Sequence, residues 1–303
     1  MNPAPLSVEL PGCVTMVENP TGLSLLRVST PLGEGEVYLH GAQVTRWTPV
    51  GQRPLIWLSE ASAFEPARAI RGGVPICFPW FGAGRGARMT PQHGFARLAD
   101  WALVSAMDLD GVVTLTFRLT DEDVTDLPAA AGWGHSFELT YVVAFGSDLT
   151  VALTVRNTGD DEWSYEEALH AYLAVNDVEE VAVLGLEGSG YLDKLAHADG
   201  QRPLQAGPVR LTGETDRVYD SADAVTLTDP LAGREVRVAK YGSSNTVVWN
   251  PWQKKAAGMS DLGDDEWSQM VCVETANVLD FAITLRPGAA HALAARYSVE
   301  PTT

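Results

Sequence analysis

The chain has 303 residues, of which 46% are hydrophobic and 20% charged, proportions typical of a globular protein. Its formal net charge of −18 argues against nucleic acid and anionic membranes as partners, because phosphate backbones require a basic surface. A few arginines gathered in one pocket could still hold a single phosphorylated small molecule. We therefore expect an enzyme or a binding protein for a small molecule.

The cysteines and the N-terminal residues indicate the compartment. Cys13, Cys77 and Cys272 are odd in number and lack C-x-x-C spacing, so we expect neither a disulfide framework nor a zinc site. The first residues show no signal peptide, and no apolar run approaches the roughly 20 residues of a membrane helix. These features predict a cytoplasmic protein.

The dominant sequence period is two, which predicts half-buried strands. In chain order, the pattern predicts strands at 22–29, 35–48, 112–119, 137–145, 149–155, 225–228, 234–240, 246–249, 270–275 and 280–285. A short helical turn is predicted at 59–64, and a hairpin turn at 146–148. Many strands and few helices predict an all-β antiparallel sandwich or barrel. We expect one domain over 1–303, and two smaller β domains are the alternative.

Two segments rich in glycine, proline and aromatic residues are candidates for a ligand site. The segment RGGVPICFPWFG begins at Arg71, whose two following glycines would let the backbone approach a ligand closely. The segment PQHGFAR offers Gln92 and His93 to sugar hydroxyls and Arg97 to a phosphate. On the residues alone, ordinary surface loops explain both segments about equally well.

A third segment, EEALHAYLAV, carries a histidine within a strand-like pattern. Read as a strand, it places His170 and Tyr172 on one face and Leu169, Leu173 and Val175 on the other. The apolar face suits a core, and the other face suits a ligand groove. A hydrogen-bonded structural histidine is the alternative.

A fourth segment, MVCVETAN, carries a glutamate in apolar surroundings. Val271 and Val273 point one way, and Cys272 and Glu274 point the other. Burial would raise the pKa of the glutamate and make it a better base near neutrality. The alternative is a glutamate paired with an arginine inside the sandwich.

Together these segments resemble the hexose-6-phosphate mutarotase branch of the aldose 1-epimerase (galactose mutarotase-like) superfamily. The matching stretches, in the order of the family, are RGGVPICFPWFG at 71–82, QHGFAR at 92–97, EALHAY at 167–172, GETDRVYD at 213–220, VVWNPW at 247–252 and VCVETANV at 271–278. The resemblance implies an antiparallel β-supersandwich with few short helices, in agreement with the period of two.

The resemblance also implies roles for individual residues. It implies catalysis by His170 as general acid and Glu274 as general base, and binding of the phosphorylated sugar by Arg71, Gln92, His93, Arg97 and Asp216. One departure is Ala171, because the family often has threonine after the histidine. Alanine lacks the hydroxyl group that this threonine would place beside the catalytic histidine.

The implied activity is interconversion of the α and β anomers of a hexose 6-phosphate, with glucose 6-phosphate as the expected substrate. Acid–base ring opening and reclosure transfers no electrons, so we expect no cofactor and no metal. We also expect a monomer. The alternatives are an epimerase of unphosphorylated hexoses, a glycoside hydrolase using Asp216 and Glu274, and a non-catalytic sugar-phosphate sensor.

Overall fold

The computed structural model describes residues 8–86, 88–196 and 201–302. Within these ranges the chain forms mostly strands, as the period of two predicts. The strands are β1 (Val14–Glu18), β2 (Ser24–Thr30), β3 (Gly33–Tyr38), β4 (Val44–Pro49), β5 (Ile76–Cys77), β6 (Ala102–Leu109), β7 (Val112–Thr120), β8 (Phe137–Phe145), β9 (Leu149–Asn157), β10 (Trp163–Tyr165), β11 (Glu167–Leu169), β12 (Tyr172–Ala174), β13 (Ala182–Leu184), β14 (Tyr191–Asp193), β15 (Val209–Arg210), β16 (Thr215–Tyr219), β17 (Val225–Asp229), β18 (Arg234–Tyr241), β19 (Asn245–Asn250), β20 (Met270–Asn277), β21 (Ile283–Leu285) and β22 (Ala290–Pro301).

Helical structure is sparse in the described part of the chain. One short α-helix, α1, spans Trp252–Ala256. Single 3-10 turns occupy Ala96–Leu98, Glu122–Val124, Pro128–Ala130, Glu266–Gln269 and Leu279–Phe281. None of the helices described here is long and apolar enough to cross a membrane.

Two large antiparallel sheets dominate the fold. One has nine strands in the order β15-β13-β17-β18-β22-β9-β8-β7-β6. The other has seven strands in the order β14-β16-β19-β20-β11-β5, with β12 also paired to β20. A four-stranded sheet, β1-β2-β3-β4, and the pair β10-β21 complete the framework. The prediction of an all-β antiparallel fold is confirmed.

The main core lies between the two large sheets. Alternate residues of β7, β8 and β9, such as Phe117, Tyr141 and Leu153, are fully buried in it. Val271 and Val273 of β20 belong to the same buried cluster. Because side chains alternate along a strand, the intervening residues of β20 point to the opposite face of the seven-stranded sheet. That face carries the candidate site described below.

Two predicted strands are divided in the structure. The predicted strand at 35–48 becomes β3 and β4, because Gly41 and Ala42 have φ values of +71° and +44° and reverse the chain. The predicted strand over EEALHAYLAV becomes β11 and β12 and is interrupted at His170. The hydrophobic alternation continues across both breaks, so it does not reveal them.

Two further predictions are wrong in detail. Residues 59–64 contain one hydrogen-bonded turn, in which the Ser62 N–H donates to the Ser59 carbonyl at 3.2 Å, but no helix. The Ser59 hydroxyl accepts the Ala61 N–H and donates to Glu266 at 2.6 Å. Glu266 also accepts the N–H of Glu60 at 2.8 Å. The predicted strand at 280–285 starts inside the 3-10 turn Leu279–Phe281, and only its end is β21.

Candidate active site

A cavity of about 510 Å³ opens on the face of the seven-stranded sheet opposite the main core. The structure brings all seven sequence-predicted site residues together around it. They are Arg71, Gln92, His93, Arg97, His170, Asp216 and Glu274. These residues come from three loops and two strands, so only the folded sheet places them side by side.

Strand register explains how the sheet contributes to the cavity. On β16 and β19, Asp216 lies opposite Trp249, and Trp249 in turn lies opposite Cys272 of β20. Two residues along β20, Glu274 lies opposite Val247. Since residues two apart share a face, Asp216, Trp249 and Glu274 all face the cavity.

His170 reaches the same face from the break between β11 and β12. Leu169 pairs with Thr275 and Tyr172 with Cys272, so the register places the break opposite Glu274. The His170 N–H donates to the Pro75 carbonyl at 3.0 Å, which fixes the backbone at the break. The predicted separation of faces is confirmed, because Leu169, Leu173 and Val175 belong to the main core.

His170 and Glu274 form a buried pair. Nε2 of His170 lies 3.3 Å from Oε1 of Glu274, and the side chains are 8% and 1% exposed. Nδ1 of His170 and Oε2 of Glu274 are buried and have no hydrogen-bond partner among the described residues. The partner of Glu274 in this contact is a histidine, and not the arginine that the alternative prediction required.

Burial moves the pKa values of this pair in opposite directions. It lowers the pKa of His170 to about 3, with further lowering by the charges of Arg97 and Arg71. It raises the pKa of Glu274 well above its ordinary value of 4.5, and the charge of Asp216 adds to this effect. Burial thus disfavours the charged form of both side chains.

His93 lies against His170 inside the cavity. The two imidazole rings meet edge to face with centroids 5.2 Å apart. Nδ1 of His93 accepts the Gly82 N–H at 3.4 Å and lies 3.3 Å from the sulfur of Cys77. Burial, the charge of Arg97 and the proximity of His170 lower the pKa of His93 well below its ordinary value.

The glycines that follow Arg71 serve the fold, contrary to the expectation that they admit a ligand. A Cβ atom at Gly72 would meet the Trp57 carbonyl oxygen at 2.7 Å, and one at Gly73 would meet the Val44 carbonyl oxygen at 2.4 Å. Neither glycine lines the cavity. The two glycines therefore let the backbone pack closely against neighbouring backbone, and this packing fixes the segment that carries Arg71.

Three of the four lysine and arginine side chains that line the cavity have acidic partners. The pairs are Arg71 with Asp261 at 3.0 Å, Lys194 with Asp216 at 3.3 Å, and Lys255 with Glu214 at 2.8 Å.

Arg97 differs from these three cations. Its Nη2 donates to the Gln92 carbonyl at 2.7 Å, whereas its Nε is buried without a hydrogen-bond partner in the described ranges. Within the same ranges it makes no salt bridge. A guanidinium group in this state is suited to bind an anion through charge-assisted hydrogen bonds.

The residues alone did not indicate part of the cavity wall. The residues that were not predicted as site residues are Phe81, Gly82, Ala83, Tyr172, Lys194, Trp249, Lys255 and Met259. The face argument already placed Tyr172 beside His170 on the groove face, and Trp249 lies inside the segment VVWNPW, where the same argument could have included it. Lys194 lies in no such segment and reaches Asp216 only because β14 pairs with β16.

No cluster of three or more His, Cys, Asp or Glu side chains able to hold a metal occurs in the described part of the chain. The cysteines Cys13, Cys77 and Cys272 are unpaired.

Comparison with known proteins gives concordant matches. The family model of aldose 1-epimerase matches residues 25–298. A relative from Cenchrus ciliaris, provisionally named glucose-6-phosphate 1-epimerase, is 39% identical over 265 residues, which are 84% of this chain and 77% of the relative. A relative from Escherichia coli with the same provisional name is 36% identical over 256 residues, which are 84% of this chain and 83% of the relative.

The fold matches a solved structure over nearly its whole length. The crystal structure of a provisionally named mutarotase from Salmonella typhimurium superposes with a TM-score of 0.87 at 31% identity, covering 98% of this chain and 97% of that one. The family match covers most of the chain, and the relatives exceed 30% identity. The chain therefore belongs to the aldose 1-epimerase family.

Proposed function

We propose that this protein interconverts the α and β anomers of a hexose 6-phosphate, with glucose 6-phosphate as the expected substrate. The observation that carries the proposal is the buried pair of His170 and Glu274 in a cavity where Arg97 has no acidic partner among the described residues. The provisional names of the relatives from Cenchrus ciliaris and Escherichia coli support the same substrate.

Anomer exchange requires one base and one acid. Opening the pyranose ring breaks the C1–O5 bond while a base removes the proton of the C1 hydroxyl and an acid protonates O5. The resulting aldehyde rotates about C1–C2 and closes on its other face, with the roles of the two groups reversed. General acid and base groups typically contribute about 10²–10⁴-fold each. We assign the base role to Glu274 and the acid role to His170.

Ring opening requires the carboxylate form of Glu274 and the imidazolium form of His170. Oε1 of Glu274 and Nε2 of His170 lie 3.3 Å apart, close enough for a proton to pass between the two groups. Arg97 and Arg71 lower the pKa of His170. A phosphate dianion bound beside them would offset their charge and raise that pKa. Substrate binding thus favours the protonated state of His170 that ring opening requires.

Arg97 is the proposed main ligand of the phosphate, and Arg71 a second one. Arg71 already donates Nε and Nη2 to Asp261, so a phosphate has to share or replace that contact. We assign sugar-hydroxyl binding to Asp216, Gln92 and His93, because carboxylate, amide and imidazole groups all bond hydroxyls. Burial raises the pKa of Asp216, against the lowering effect of Lys194.

An epimerase of unphosphorylated hexoses is the second candidate. The observation that favours it is the pairing of Arg71, Lys194 and Lys255 with acidic residues, which leaves Arg97 alone without one. A single free guanidinium could instead bond sugar hydroxyls.

The Arg97→Ala variant separates these candidates. We expect it to raise KM for glucose 6-phosphate by about tenfold or more, because a charge-assisted hydrogen bond is lost, and to change KM for glucose much less. The matched control is Arg286→Ala, because Arg286 is 86% exposed and, among the residues that the structure describes, pairs with Glu162 alone, at 3.6 Å. An equal loss for both sugars would favour the epimerase of unphosphorylated hexoses.

The proposal places the enzyme in the cytoplasm as a monomer without nucleic-acid partners. The net charge of −18 supports the last point, and the unpaired cysteines agree with a reducing compartment. The proposed reaction requires neither a cofactor nor a metal, because it moves only protons and one C–O bond.

A further inference from the structure

Tyr172 contacts both halves of the proposed site. Its ring stacks on the imidazole of His170, with centroids 4.9 Å apart and an angle of 17° between the planes. Its hydroxyl accepts a hydrogen bond from Nη1 of Arg71 at 2.9 Å. The side chain is only 2% exposed, so its own position is set by packing.

His170 needs such a support because a polar contact holds its ring at one nitrogen only. Nε2 faces Glu274, whereas Nδ1 is buried without a hydrogen-bond partner in the ranges that the structure describes. In acid–base histidines, a hydrogen bond at the second nitrogen usually fixes the ring and its tautomer. Here ring contacts must supply that constraint.

Among the described residues, four aromatic rings contact His170, and Tyr172 is the closest and the most nearly parallel of them. The centroids of His93, Trp249 and Phe81 lie 5.2, 6.1 and 6.5 Å from that of His170, at interplanar angles of 77°, 71° and 30°. A close parallel stack restricts the tilt of the imidazole more than distant or edge-on contacts do.

Tyr172 is itself fixed on several sides. Its ring stacks on Trp57, with centroids 5.7 Å apart and planes at 22°. Its backbone N–H donates to the Gly73 carbonyl at 2.9 Å, and β12 pairs it with Cys272 of β20. Gly73 is two residues from Arg71. The backbone hydrogen bond from Tyr172 to Gly73 therefore fixes both partners of the hydrogen bond between Arg71 and the Tyr172 hydroxyl.

We propose that Tyr172 is a positioning residue that holds the His170 ring for proton transfer and links it to the anion-binding Arg71. The inference rests on the proposed function, because it concerns the acid of that reaction. The aromatic face acts on proton transfer, and the hydroxyl acts on binding of the phosphorylated sugar. The two parts of the side chain therefore have separable effects.

Two variants separate these effects. Tyr172→Leu removes the stack and the hydroxyl, and we expect kcat for glucose 6-phosphate to fall by about tenfold or more, since a slightly misplaced catalytic group costs up to about 10²-fold. Tyr172→Phe keeps the stack and removes only the hydroxyl. We expect KM for glucose 6-phosphate to rise about three- to tenfold, and kcat to fall less than in Tyr172→Leu.

Tyr141→Phe is the matched control, because Tyr141 is a fully buried tyrosine of the main core whose hydroxyl, unlike that of Tyr172, has no hydrogen-bond partner in the described part of the chain. It should leave both constants unchanged. A folded Tyr172→Leu variant with the kcat of the wild type would overturn the proposal. So would a Tyr172→Phe variant that loses kcat as strongly as Tyr172→Leu.

A spectroscopic readout keeps the test independent of activity. In long-range ¹H–¹⁵N spectra, we expect one sharp set of His170 ring signals in the wild type and in Tyr172→Phe. We expect broadened or doubled signals in Tyr172→Leu, because the ring gains freedom. Unchanged sharp signals in Tyr172→Leu would contradict the positioning role. An inactive wild type would refute the proposed function, and the ring signals would still decide the role of Tyr172.

Discussion

Glu274 has a much higher cost of ionisation in the folded protein than in the unfolded chain. It is 1% exposed, and burial together with the charge of Asp216 raises its pKa well above 4.5. A carboxyl group with a raised folded pKa contributes stability below its unfolded pKa. That stability is lost as the pH rises through the folded pKa. Burying the carboxyl group of Glu274 therefore lowers the stability of the folded protein near neutral pH.

Glu274→Gln should therefore gain stability relative to the wild type as the pH rises above about 4.5. The amide has a similar shape and does not ionise. The relative gain is bounded by about 1.4 kcal/mol per pH unit for one proton. Denaturant unfolding of both proteins between pH 4.5 and 8 measures it. A difference in unfolding free energy that does not change with pH would show that Glu274 ionises normally in the folded protein.

At the scale of elements, β20 connects the core to the site. Its eight residues are all buried. Val271 and Val273 pack in the main core, while Glu274 faces the cavity. A glutamate within a long, mostly apolar strand is visible in the sequence, which is why this segment could be singled out as a candidate. The break at His170 could not, since its backbone depends on the Pro75 carbonyl of a distant segment.

The loop that carries His93 and Arg97 is docked through Gly94. A Cβ atom at Gly94 would lie 2.0 Å from the Phe78 carbonyl oxygen, and the residue has a φ of +74°. Gly51 has a φ of +73° but nothing within 4 Å of a Cβ atom. The two glycines have nearly the same positive φ, but only Gly94 packs against another segment. Comparing alanine variants at the two positions therefore separates the effect of this packing from that of backbone strain.

Gly94→Ala should accordingly destabilise the protein by about 2 kcal/mol or more beyond Gly51→Ala, because the added methyl group must displace backbone. Thermal or denaturant unfolding of the two variants measures the difference. We also expect Gly94→Ala to lose activity on glucose 6-phosphate, since His93 and Arg97 would move. Equal free energies of unfolding for the two variants would show that the loop accommodates the methyl group without loss of stability.

Over the whole molecule, the charges of surface and cavity have opposite effects on an anionic substrate. The chain carries 39 acidic and 21 basic residues, yet four arginine and lysine side chains line the cavity. Surface charges are screened beyond about 8 Å at physiological ionic strength, whereas buried ones are screened much less. The local field of the cavity therefore governs binding of a phosphorylated sugar.

Sequence patterns predicted the architecture better than the complete site. Period two along segments such as Phe137–Phe145 requires only local alternation, and the sheets follow it closely. Lys194 and Asp261 carry no local signal, because their roles depend on the register of β14 and on a contact with Arg71 across 190 residues. The raised pKa of Glu274 was expected from its apolar neighbours, whereas the lowered pKa of His170 follows from burial that only the folded chain creates.

The most direct test of the account is exchange NMR between the α and β anomers of glucose 6-phosphate. We predict that the wild type accelerates exchange well above the uncatalysed rate without changing the anomer ratio at equilibrium. Glu274→Gln and His170→Asn should each lose about 10²–10⁴-fold of that acceleration while remaining folded. No acceleration by the wild type, or near-normal exchange by either variant, would contradict the account.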